Sequence, residues 1–104
     1  MKIQFNTDRN VTRIGKLRTF STSLISEELS RFSNHITRLE VHLSDEDGSK
    51  NGLNDKRCML EARLEGRQPI AVTDHASTHE QAVAGAIEKL RNSLSTIQGR
   101  VRNH

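Results

Sequence analysis

The chain has 104 residues, a net charge of +3 and a single cysteine. That length suits one compact domain, and one cysteine excludes an internal disulfide. No apolar run approaches the ~20 residues that span a bilayer, and the N-terminal MKIQFNTDRN has no apolar core of signal-peptide length. A soluble, cytoplasmic protein without a membrane partner is expected.

The net charge hides an asymmetry. Residues 1–43 carry seven basic and four acidic side chains, residues 44–55 one basic and four acidic, and residues 56–104 eight basic and five acidic. A basic body with one short acidic segment points to an anionic partner, nucleic acid being the commonest. All three aromatic residues are Phe, too few for base stacking on exposed rings.

In chain order, Lys2 to Asn6 alternates polar and apolar residues, which predicts a half-buried strand. Turn-formers follow from Thr7 to Asn10. From Thr12 to Phe32, Ile14, Leu17, Leu24, Ile25, Leu29 and Phe32 keep helical spacing, with Ser21 as a gap and Gly15 weakening the first turn. Asn34 and His35 end this helix. Thr37 to Ser44 predicts a second strand, with Leu39, Val41 and Leu43 on one side and Arg38, Glu40 and His42 on the other. The stretch 45–54, DEDGSKNGLN, reads as a polar hairpin loop.

The stretch 56–65, KRCMLEARLE, alternates again. Cys58, Leu60, Ala62 and Leu64 share one face, and Arg57, Met59, Glu61, Arg63 and Glu65 the other. Gly66 to Pro69 form a turn, and Ile70 and Val72 mark a fourth strand. Ser77-Thr78-His79-Glu80 fits a capping box with Ser77 as the N-cap. Behind it Val83, Ala86, Ile87, Leu90, Leu94, Ile97 and Val101 form an apolar stripe. The expected class is α+β in the order β-α-β-β-β-α: one four-stranded mixed sheet with two helices packed on one face. A parallel crossover followed by an antiparallel meander satisfies every stripe.

Three candidate sites can be weighed from the residues. A reactive thiol needs positive charge beside it and some exposure. Arg57 adjoins Cys58 but points to the opposite face, so Cys58 reads as a small core residue. His75 and His79 stand four apart, a metal-ligand spacing. They straddle a helix start and lack a third ligand, so no metal and no cofactor are expected. Asp45-Glu46-Asp47-Gly48 resembles half of a calcium loop, but its glycine comes two positions early and no acid stands at the twelfth position. With no phosphate loop and no nucleophile signature, neither an enzyme nor a small-molecule substrate is expected.

The arginines carry more. Arg38, Arg57 and Arg63 recur at strand spacing on the wet face of the sheet. On the last helix Lys89 and Arg100 fall on one flank of the stripe, Arg91 and Arg102 on the other. Each flanking pair spans about 16 Å. A solvated face, with Glu40, Glu61 and Glu88 interspersed, remains the plain alternative to RNA binding by charge and shape.

The run Ile36-Thr37-Arg38-Leu39-Glu40-Val41-His42-Leu43, the strand Cys58-Met59-Leu60-Glu61-Ala62, and His79-Glu80-Gln81-Ala82-Val83 leading to Glu88-Lys89-Leu90 resemble the ribosome hibernation-promoting factor and ribosome-associated inhibitor family, also called sigma-54 modulation proteins. The resemblance covers nearly the whole chain. It implies the fold inferred above, binding to the small ribosomal subunit and its rRNA where messenger and transfer RNA would lie, and translational block under stress. Lys89-Leu90 matches the family's last helix, and Arg100 matches a later basic position. Asn92 and Thr96 stand where the family is usually basic, with Arg91 displaced by one from the first of these. The second half of the first helix, Ser21 to Glu28, lacks the lysines of well-studied members.

The expectation is therefore a single hibernation-factor-like domain over residues 1–104, a short form without the C-terminal domain that pairs ribosomes. It would be a monomer or weak dimer, a non-enzymatic stress protein binding rRNA through Lys89, Arg91, Arg100, Arg38, Arg57 and Arg63. The alternative is a protein-interaction or regulatory module that keeps the fold and binds RNA weakly or not at all.

Overall fold

The computed structural model describes residues 1–46 and 55–102, with the backbone alone for residues 98–102. The elements are β1 (Lys2–Thr7), α1 (Ile14–Glu28), a 3₁₀ turn (Ser30–Phe32), β2 (Ile36–Asp45), β3 (Lys56–Leu64), β4 (Ile70–Ala76) and α2 (His79–Arg102). The four strands form one sheet in the order β1-β2-β3-β4. β1 runs parallel to β2, and β2–β3 and β3–β4 are antiparallel. This is the mixed sheet expected from the sequence, with α1 as the crossover and both helices contributing to a single core.

Alternation fixes which face each strand buries. Leu39, Val41 and Leu43 of β2 and Cys58, Leu60 and Ala62 of β3 are fully or almost fully buried under the helices. Leu64 is half-buried at the end of that row. Arg57, Met59 and Glu61 are half-buried and Arg63 exposed on the other face, which no described helix covers. From above, Leu17 and Ile25 of α1 and Ala82, Val83, Ala86, Ile87, Leu90 and Leu94 of α2 complete the core. Val101, expected in the same stripe, lies outside the described side chains.

Three local features differ from the sequence reading. The first helix is shorter than residues 12–32: α1 begins at Ile14 and yields to the 3₁₀ turn after Glu28. Its N-cap is Arg13 in the left-handed region (φ 55°), with no side-chain cap, so no sequence signal marks the start. Ile14, counted as apolar stripe, is 40% exposed, whereas the gap residue Ser21 is fully buried.

At the start of β2, a register shift between Ile36 and Arg38 makes room for Thr37, whose Oγ1 donates to the Arg63 carbonyl at 3.0 Å. Such a bulge re-aims the chain. It keeps Ile36 in the core, 2% exposed, although strict alternation would place it on the face of Arg38.

The cap of α2 also moves by one residue. The backbone N–H of Gln81 donates to Thr78 Oγ1 at 3.1 Å, and the helix begins at His79. Thr78, not Ser77, is the N-cap. The motif is the equivalent T-x-x-Q, one residue on from the S-x-x-E. The Ser77 hydroxyl donates instead to Gln81 Oε1 at 2.9 Å.

Candidate nucleic-acid interface

The uncovered sheet face is read most simply in rows across the strands. Lys2, Arg38 and Arg63 stand directly opposite one another on β1, β2 and β3. The next row is Gln4, Glu40, Glu61 and Ala71. Asn6, His42, Met59 and Thr73 follow, and Ser44, Arg57 and His75 close the face. Neighbours in a row are about 4.8 Å apart, the spacing between strands.

Glu40 is the hub of this face. Its side chain is 14% exposed, and Arg38 Nη2 lies 3.0 Å from Oε2. Arg63 Nε is 3.4 Å from the same oxygen, and His42 Nε2 is 3.4 Å from Oε1. Desolvation pulls the Glu40 carboxyl upward, but Arg38 and Arg63 outweigh it and hold the group below its ordinary value. Arg63 also reaches Glu61 at 3.4 Å. At the other end of the face, Arg57 and His75 share Glu46 Oε1 at 3.5 and 3.4 Å.

The candidate residues of α2 are held in the same way. Lys89 Nζ is 3.0 Å from Asp74 Oδ1 and donates to the Thr73 carbonyl at 2.8 Å, strapping the helix to edge strand β4. Arg91 points to the opposite flank, where its Nη1 donates to Glu28 Oε2 of α1 at 2.7 Å. Lys89 and Arg91 thus lie on opposite flanks of the stripe, and each has an acid from another element. The side chains of Arg100 and Arg102 lie outside the described residues.

Sequence reasoning missed a second group. Lys2, Arg9, Lys16 and Arg67 make no ion pair or hydrogen bond among the described residues. Arg18 has no acid partner among the described residues either; its guanidinium lies 5.5 Å from the centre of the Phe5 ring. The signal was present in the first eighteen residues, which carry five basic side chains and one acidic. Counting over 43 residues diluted it.

The other candidates resolve into structural roles. Cys58 is fully buried. Burial and the nearby Asp74 carboxylate push its thiol up to about 12, against a small opposing effect of Arg57. It stays protonated, the opposite of an activated nucleophile. His75 lies on the open face, whereas His79 is 8% exposed and its Nε2 donates to the Ser44 carbonyl at 3.1 Å. The two histidines are committed to different surfaces.

Asp45, expected in a loop, ends β2 and is buried with Asp55; Lys56 Nζ donates to both, at 2.9 and 3.2 Å. Those bonds hold the Lys56 ammonium above its ordinary value despite partial burial. The rest of the acidic stretch, residues 47–54 with Asp47 and Gly48, lies outside the described residues. No group of three or more metal-ligating side chains occurs among the described residues, and no described helix is long and apolar enough to cross a membrane.

A half-open α+β domain with a charged sheet face and two covering helices defines a class that known proteins share. Residues 7–102 match the family described as sigma 54 modulation protein / S30EA ribosomal protein, and the chain belongs to that family of ribosome-associated factors. The N-terminal domain of Protein Y from Thermus thermophilus superposes with a TM-score of 0.73 at 18% identity, covering 93% of this chain and 99% of that one. A ribosomal subunit interface protein from Coxiella burnetii gives 0.73 at 20% identity, covering 95% and 99%. At these identities the likeness speaks for the fold. No curated protein matches the chain in sequence.

Proposed function

We propose that the protein is a cytoplasmic, non-catalytic stress factor that binds rRNA of the small ribosomal subunit and thereby modulates translation. The observation that carries this reading is the placement of Arg38, Arg57 and Arg63 on one uncovered face, in a chain whose family is ribosome-associated. On α2, Lys89 lies beside edge strand β4 and Arg91 on the opposite flank toward α1; with Arg100, further along the same helix, they are the other candidate phosphate contacts. Phosphate binding of this kind gives affinity without base readout and makes it fall steeply with salt.

The test is co-sedimentation with purified 30S subunits over a salt series. Wild type should pellet with subunits at low salt and be released as salt rises. Replacing Lys89, Arg91 and Arg100 by Ala, or Arg38, Arg57 and Arg63 by Ala, should weaken binding. The log–log slope should flatten by roughly 0.7 for each phosphate partner removed. Glu88→Ala, which removes an exposed acid from α2, should not weaken binding.

A second reading has its own support. Arg38, Arg57, Arg63, Lys89 and Arg91 all lie within 3.5 Å of a carboxylate, and Ser21 to Glu28 of α1 carries no basic residue. Such a surface suits a protein-interaction module with weak RNA affinity. Wild type that never co-sediments, even at low salt, decides for this reading.

A further inference from the structure

The row Lys2, Arg38, Arg63 is electrostatically unfavourable in the free domain. Like charges directly opposite on neighbouring strands repel, and here three cations stand side by side over about 10 Å. The adjoining row supplies two acids, Glu40 and Glu61, and both are spent on the arginines. Lys2 receives neither and has no other partner among the described residues. The row is therefore left with one uncompensated positive charge.

Donor capacity is left over as well. A guanidinium has five N–H groups in a planar fork. Arg38 engages Glu40 through Nη2, while its Nε is shielded from solvent and has no hydrogen-bond partner among the described residues. The Arg38 and Arg63 side chains remain 39% and 47% exposed, so an incoming anion can reach both.

We propose that Lys2, Arg38 and Arg63 form one site for the phosphodiester backbone of RNA, and that the Glu40 carboxylate is the internal anion which phosphate displaces from it. This deepens the RNA-binding reading above and rests on it for the biological ligand. Glu40 Oε2 sits where both arginines converge, as a phosphate oxygen would. His42 Nε2, already 3.4 Å from Oε1, keeps a partner on the carboxylate when the arginines turn to the phosphate. The exchange costs little because the two arginines, unlike Glu40, are largely solvated, and ion pairs open to solvent on one side stabilise little. Glu40 thus quiets the row in the free protein and sets a threshold that isolated phosphates do not overcome but a polyanion does.

The test uses the whole chain and a fluorescent polyuridylate of about twelve nucleotides, titrated by anisotropy between about 50 and about 300 mM salt. Lys2→Ala should fold like wild type, since Lys2 is exposed and unpartnered, and should flatten the slope by about 0.7; the triple Ala variant at Lys2, Arg38 and Arg63 should flatten it by about 2. Glu40→Gln should bind roughly threefold or more tightly, while its melting temperature falls by about 2–5 °C.

A triple variant with wild-type affinity and slope overturns the site. A folded Glu40→Gln that binds no more tightly than wild type overturns displacement. If Glu40→Gln does not fold, Lys2→Glu decides: it must weaken binding more than Lys2→Ala, and equal affinities overturn the row. Co-sedimentation with 30S subunits in parallel separates the two claims. Binding to subunits without binding to polyuridylate refutes the row alone, and the reverse refutes only the ribosomal reading.

Discussion

Asp74 of β4 lies directly against the Cα of Gly85 in α2, so closely that a methyl group on Gly85 would overlap the Asp74 carboxylate. Asp74 is in register with Cys58 and so faces the helices. Only a residue without a side chain lets α2 pass over it while Lys89, one turn further on, takes the carboxylate at 3.0 Å. Alanine normally favours a helix interior over glycine by about 1 kcal/mol. Gly85→Ala is expected to lose that advantage and more, costing about 0.5–1 kcal/mol net, because Asp74 must rotate off Lys89. In an Asp74→Ala background the same change should stabilise by up to about 1 kcal/mol. Urea unfolding of the four proteins measures the coupling; additive effects would refute the close approach.

The capping of α2 gives a sharper local test. Thr78→Ala removes the acceptor of the Gln81 N–H and should cost about 1 kcal/mol. Ser77→Ala removes only an exposed hydroxyl bonded to a side chain and should stay within about 0.5 kcal/mol. Equal losses in chemical denaturation would return the cap to Ser77.

Much of the fold was legible because period-two alternation is a local signal. Leu39, Val41 and Leu43, then Cys58, Leu60 and Ala62, declare their face within a few residues, and the α2 stripe does so over four turns. The bulge at Thr37 was hidden because it depends on β3, whose Arg63 carbonyl receives the Thr37 hydroxyl. The start of α1 was hidden because Arg13 has no capping side chain and is instead tied by its guanidinium to Glu80, 67 residues away. The candidate interface was half legible for the same reason. Alternation puts Arg38 and Arg63 on one face, but their common partner Glu40 and the alignment of Lys2 beside them are products of strand register. The pairs Arg91–Glu28 and Lys89–Asp74 likewise join different elements.

Cys58 should be unreactive in the folded protein. Its thiol is buried and pushed up to about 12, from an ordinary value of 9.0. Iodoacetamide labelling at pH 8 should follow global unfolding, with denaturant accelerating it in step with the loss of structure. The same shift has a signed consequence. A folded-state value raised above the unfolded one gives stability that is present in full below about pH 9 and is lost as pH rises from there toward 12. Cys58→Ala should show a shallower loss of stability across that window. Fast labelling under native conditions would place the thiol at the surface.

Glu40 provides the opposite case, at the acid end. Its folded-state value lies below the ordinary 4.5, since Arg38 and Arg63 favour the carboxylate more than desolvation penalises it. A depressed value gives stability that is present above about pH 4.5 and is lost as pH falls through the folded-state value. Arg38 and Arg63 stay charged throughout, so protonating Glu40 leaves the row Lys2, Arg38, Arg63 with less compensation. Wild type should therefore lose more stability than Glu40→Gln on going from pH 7 to pH 3, and the two should converge at the acid end. Sulfate added at the acid end, where it remains a divalent oxyanion, should restore more stability than an equal ionic strength of chloride, because it takes up the donors that Glu40 has released. Urea unfolding at the two pH values, with each salt, measures both effects. A Glu40→Gln variant that parallels wild type over the whole range would show that the carboxylate does not hold the row together.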